Sequence, residues 1–258
     1  MKIGLTIFVI AIITSPTLFS QSTEVEFYNT VDKLKTTSEL EDYNGKFRLN
    51  KDFDELLNLG VVQTNWSIYK GRKSLQTHLL TLSINEQIFY FEFYQPKLND
   101  DYDGWTSDRT HAKVDSTLLS RLKQPSDKVT ISIDFEHLER HPNRSTFGYA
   151  CYASGSMPEE GERMLKSVQQ RDLKTLTSWL KSINQVKQVY SYLGLKLLQT
   201  TDSIQLTDDV TTTMTELESS STLVYSCSGC TFWEHLPIKE QLTTENVTRF
   251  IERRKKMK

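Results

Sequence analysis

Three cysteines carry most of the chemistry this chain can offer: Cys151, Cys227 and Cys230. Cys227 and Cys230 form a Cys-x-x-Cys motif after an apolar run at Leu223, Val224 and Tyr225. In an oxidising compartment two sulfurs this close would join, and the expectation is a small disulfide ring that staples the turn. A reduced pair, its first thiol made acidic by a helix N-terminus, would instead serve thiol–disulfide exchange. Adding Cys151 and His235 supplies three thiolates and an imidazole, enough for tetrahedral zinc, and gives the odd cysteine a role. Cys151 otherwise lies in an apolar stretch with Phe147, Tyr149 and Tyr152 that reads as helical, where a buried inert thiol is expected. A thioredoxin-like domain carries this motif early, and the 28 residues after Cys230 cannot complete one. Covalent haem attachment needs His after the second Cys, and Thr231 stands there.

Other groups are weaker candidates. Asn99, Asp101, Asp103 and Gly104 open like a calcium loop, but the twelfth position is Thr110 and not a bidentate Glu. His137 and His141 are four apart, yet Leu138, Glu139 and Arg140 between them fit neither zinc-helix order, and Pro142 ends any helix. Arg249, Arg253, Arg254, Lys255, Lys256 and Lys258 form the strongest charge cluster. At a helix C-terminus it complements the macrodipole, and it is a surface for an acidic partner or an anionic membrane. The aromatic run 89–94 offers a face for sugar or peptide, although core packing explains it as well. Asn-x-Ser/Thr sequons occur at Asn65, Asn143 and Asn246. No nucleophile elbow, phosphate-binding loop or dinucleotide fingerprint occurs, so no reaction can be named.

The elements that must position these groups follow from periodicity. Residues 1–20 have a positive start, an apolar run broken by Pro16, and a small residue before Gln21. That order predicts a secretory signal peptide cleaved near Ser20 and Gln21, since a spanning helix needs ~20 apolar residues in a row. No Cys follows the run to take a lipid. The formal charge of −2 becomes −3 when Lys2 leaves, which disfavours nucleic acid as a partner. With 37% hydrophobic residues, 12 Phe and 11 Tyr, the chain can bury a core.

Val25, Tyr28, Val31 and Leu34 read as helical, and Phe53, Leu56 and Leu57 as a second helical face ended by Gly60, with a turn at Tyr43, Asn44 and Gly45 between them. From 61 to 94 the period becomes two, predicting three antiparallel strands joined at Lys70–Lys73 and Ser83–Glu86. In the last strand Phe89, Phe91 and Phe93 share the core face, opposite Tyr90, Glu92 and Tyr94. Residues 129–135 alternate as a further strand. Ser156, Pro158 and Glu159 have the form of a capping box that opens a helix through Leu165 and Val168. Two more apolar stripes follow: Leu176, Trp179, Leu180 and Ile183, then Val186, Val189, Tyr190, Leu193 and Leu197. They predict an antiparallel pair, and further helices are expected at 208–219 and from Thr244.

Ser191, Gly194, Leu195 and Leu198 match the small-x-x-small-Leu-x-x-Leu ending of a HEAT-type repeat, and Val186 and Lys187 approximate its hydrophobic-basic pair one residue out of register. The segment, about 159–200, resembles one HEAT-like hairpin, with no second copy to build an array. The plan more loosely resembles bacterial envelope proteins of unassigned function, which implies no mechanism. The fold class expected is α+β. An α+β lobe at 21–145 carries the antiparallel sheet, and a mainly helical lobe at 146–258 carries the hairpin and the Cys-x-x-Cys turn; one continuous domain of both is the alternative. The function expected is a non-catalytic exported protein, periplasmic or secreted, that binds a macromolecule, most simply a protein, or supports the envelope. It needs no cofactor. The alternative is a thiol-redox or zinc protein centred on Cys227 and Cys230.

Overall fold

The computed structural model describes residues 25–98, 105–122, 131, 133, 135, 138, 140, 144–230 and 232–255. The expected leader lies outside them, as do Asn99, Asp101, Asp103, His137, His141 and Asn143. The architecture is α+β, as expected. Strands β1 (Phe47–Leu56), β2 (Val61–Lys70), β3 (Lys73–Ile84), β4 (Gln87–Leu98) and β5 (Trp105–Val114) form an antiparallel meander in that spatial order. The links are short, and glycine and asparagine take left-handed backbone in them. Gly71 has φ +63 between β2 and β3, and Asn85 and Glu86 have φ 46 and 65 in the two-residue turn between β3 and β4.

Residues 47–56 are strand and not helix, which corrects the helical face drawn through Phe53, Leu56 and Leu57. β1 pairs along β2 from Phe47 opposite Lys70 to Leu56 opposite Val62, and Leu59 (φ 63) and Gly60 (φ 70) turn the chain between them. A partner strand supplies ladder hydrogen bonds that no local spacing reveals. Ile131 and Ile133 are not in a strand either, yet they pack on the sheet.

Both faces of the sheet are covered. A helix over residues 25–31 (α1) and a second at Thr37–Glu41 (α2) lie over Trp66, Ile68, Leu79, Phe91 and Phe93, burying Phe27, Val31 and Leu40; Val25, expected inside, is exposed. On the other face Leu80, Leu82, Tyr90 and Tyr94 pack with Leu138 and with Ile183 from the helical half. A bulge between Leu82 and Ser83 moves Phe89 to this second face, away from Phe91 and Phe93. The face of Tyr90, Glu92 and Tyr94 is therefore dry as well. Glu92 is wholly buried there, held by Arg140, whose Nη2 donates at 3.0 Å, and by the Tyr90 hydroxyl. Asn65 is also wholly buried in β2, so the folded chain cannot present that sequon.

After a short helix at Ser116–Leu119 (α3), the helical half comprises α4 (Glu159–Gln169), α5 (Leu173–Leu180), α6 (Gln185–Asp202) and α7 (Asp208–Glu218). The long α6 is central and almost wholly buried. Asn184 caps it, its Oδ1 accepting from the N–H groups of Val186 (2.9 Å) and Lys187 (3.3 Å). Gly194 lets α4 and α5 approach: a Cβ there would meet Leu176 at 2.9 Å and Met164 at 3.1 Å. The expected capping box at Ser156 does not form. Pro158 is the N-cap and makes no side-chain bond, while Ser156 bridges to Cys151. The halves share an interface, since Asn58 donates through its backbone to Ile183 O (3.0 Å) and through its amide to Gln188 (2.7 Å). A hairpin, β6 (Leu223–Ser228) and β7 (Phe232–Pro237), then α8 (Ile238–Gln241) and α9 (Thr244–Lys255), complete the chain.

A candidate anion-binding cleft beside the disulfide

The cysteine motif sits at the tip of the β6–β7 hairpin, where Ser228 faces Phe232 and Gly229 (φ +62) begins the reversal. Residues 147–152 are not helical. They lie alongside β6 in parallel, with Phe147 N–H donating to Tyr225 O (2.8 Å), Cys227 N–H to Phe147 O (2.8 Å) and Gly229 N–H to Ala150 O (3.0 Å). This pairing brings the Cα atoms of Cys151 and Cys227 to 5.7 Å, the ordinary spacing of a bridge, and the two are disulfide-bonded.

The expected Cys227–Cys230 ring is thereby corrected: Cys227 is taken by Cys151, and Cys230 is a free, exposed thiol. Sequence proximity favoured the local pair, but a non-local strand-like contact decided the partner. The zinc set is corrected for the same reason, because sulfurs bonded to each other offer no thiolates. His235 lies on β7 with its ring 5.0 Å from Tyr225, lining a separate cleft of about 600 Å³ between the two halves of the molecule. The bridge fits an oxidising compartment. No helix among the described residues is long and apolar enough to cross a membrane.

Gly148 has to be glycine at this junction. A Cβ would stand 2.7 Å from both the carbonyl oxygen and the sulfur of Cys227 and would also press on the Cys151 sulfur. Its backbone is pinned on both sides by Tyr190, whose buried hydroxyl accepts from Gly148 N–H at 2.9 Å and donates to Gly148 O at 3.0 Å. Burial pushes the Tyr190 phenol well above its usual pKa, so it stays a neutral donor and acceptor.

Between this stapled segment and α9 opens a cleft of about 520 Å³. Helix α9 buries Val247 and Phe250 and turns Asn246, Arg249, Arg253 and Arg254 toward the opening, a stripe at helical spacing. Tyr149 forms the floor: its ring lies 5.9 Å from that of Phe250, and its hydroxyl donates to Gln241 O at 2.7 Å. Arg249 pairs with Glu245 one turn back, and the Arg254 guanidinium lies 5.8 Å over the Phe250 ring. Arg253 is exposed and has no ion-pair partner among the described residues. Three guanidiniums thus border the cleft, and no carboxylate does among its described lining. Asn246 is committed to the carbonyls of Glu240 and Gln241 (3.3 and 3.4 Å), leaving the arginine forks as the principal donors to anything that enters.

The sequence singled out Cys227 and the three arginines, and the structure brings them to one cleft. Tyr149 and Gln241 were missed, and their only signal was a phenol beside the stapled residue and an amide just before the last helix. The aromatic face of β4 is not a surface, because Tyr90 and Tyr94 are buried. No protein family, curated protein or solved structure matches this chain.

Proposed function

We propose that this is an exported binding protein without covalent chemistry, whose partner places an anionic group in the cleft between α9 and the disulfide-stapled segment. The observation that carries this reading is the lining: three arginines, no described carboxylate, and a floor held by the Cys151–Cys227 bond. On this reading residues 1–20 are removed as a signal peptide, the mature chain begins at Gln21, and it works in the periplasm or beyond. The α5–α6 pair then serves as a HEAT-like scaffold behind the cleft. A macromolecular partner, most simply a protein, fits a site open along a helix better than an enclosed metabolite pocket does.

The experiment is titration of the mature chain with pyrophosphate, followed through the side-chain Nε–Hε resonances of its arginines. The signals of Arg249, Arg253 and Arg254 should move saturably, ahead of all others. A uniform shift matched by sodium chloride refutes the proposal. A thiol-exchange role is the second reading, favoured by the exposed Cys230 three residues from bridged Cys227. Oxidation of a dithiol peptide, lost in Cys230→Ser, would replace the first reading with the second.

A further inference from the structure

The spacing along α9 points to a class of partner. From Asn246 to Arg254 the stripe covers eight helical steps, about 12 Å at ~1.5 Å each. That length holds about four residues of extended chain at ~3.3 Å each. Arg249 and Arg253, one turn apart, are separated by about 6 Å along the axis. Side chains on one face of an extended peptide repeat every second residue, about 6.6 Å, so the two spacings agree. Arg249 already takes a carboxylate from its own chain, Glu245, while Arg253 presents its fork to solvent. Guanidinium matches carboxylate in planar, two-pronged fashion, and the floor of Tyr149 and Phe250 can receive the apolar edge of a backbone. Beyond Arg253 the charge continues through Arg254 and Lys255, more than one small anion needs.

We propose that the cleft binds an extended acidic peptide segment of a partner protein, with carboxylates at alternate residues bound by Arg249 and Arg253. This rests on the binding function proposed above and adds to it the ligand class and its register.

The test uses the full mature chain at 50 mM sodium chloride. The probes are a fluorescein-labelled octapeptide of alternating Glu and Gly, a block octapeptide of the same composition, inorganic phosphate, and phosphatidylglycerol vesicles. Saturable binding of the alternating peptide is expected, tighter than the block peptide. Arg253→Glu, at an exposed position, should weaken it about 10- to 100-fold, the cost of a lost charged hydrogen-bonding pair. Lys33→Glu, an equal charge change in the sheet half, should change it less than twofold, with circular dichroism confirming that both variants fold. Equal binding of block and alternating peptides overturns the register. Phosphate binding abolished by Arg253→Glu, without peptide binding, overturns the peptide while leaving the cleft as an anion site. Vesicle binding that ignores Arg253→Glu, with neither peptide nor phosphate bound, overturns both.

Discussion

The Cys151–Cys227 bond closes a separation of 76 residues, and its loss should be large. In the chain-entropy account a loop of that size contributes about 4.5 kcal/mol at 25 °C, against about 2 for a ring of four. Domains of this kind have ~5–15 kcal/mol of total stability, so the bridge is a major share of it. The perturbation is reduction of the Cys230→Ser protein, in which no third sulfur can exchange. Two free thiols must also stand further apart than bonded sulfurs, and Gly148 is packed tightly against both, which adds to the loss. The assay is thermal unfolding with and without reductant, alongside peptide mapping of the oxidised wild-type chain. Reduction should lower Tm by about 9–18 °C, from ~2–4 °C per kcal/mol for a chain of this size. A drop of under 5 °C, or a mapped Cys227–Cys230 bond, refutes the reasoning.

Arg140→Ala should destabilise by about 3–5 kcal/mol, because it removes the guanidinium that hydrogen-bonds the wholly buried Glu92 carboxylate and leaves it the more distant Arg109, at 3.9 Å. In urea unfolding, Glu92→Gln combined with Arg140→Met should recover much of that loss, whereas additive losses would contradict the pairing. Tyr190→Phe should cost about 1–3 kcal/mol by orphaning the backbone N–H and C=O of Gly148; a change within error removes Tyr190 from the support of the disulfide. Burial holds the His78 imidazole below its usual pKa of 6.5, with Asp52 opposing. The unfolded chain therefore takes the proton first on acidification. The stabilisation is full above the unfolded value and is lost as pH falls below about 6.5 toward the folded one. His78→Gln should flatten stability between pH 7 and 5, and an unchanged slope there would exclude His78 as the group responsible.

Where one element carries its own signal, the residues alone were enough. β2, β3 and β4 alternate at period two and are joined by short polar turns, so these three strands were legible, whereas β5 was not read from the sequence. The helical stripe from Val186 to Leu197 is likewise local, as is the basic end of α9, whereas the cap at Asn184 was not read from the sequence. Elements that depend on a distant partner were not legible. β1 became strand because β2 offers it a ladder, and Phe89 changed faces because a bulge in register moved it. The polar row of β4 became core because a second layer, including Arg140 and Ile183, closed over it.

The cysteines show the division most clearly. Sequence by itself determined that two sulfurs lie in a turn after an apolar strand, that an odd thiol exists, and that a basic helix follows. Only tertiary structure decided that Cys227 joins Cys151 and that the bridged Cys227 lines a cleft bordered by three arginines. The physical reason is that backbone hydrogen bonds between 147–152 and β6 set the spacing of the sulfurs. That spacing, not nearness along the chain, determines which bond forms.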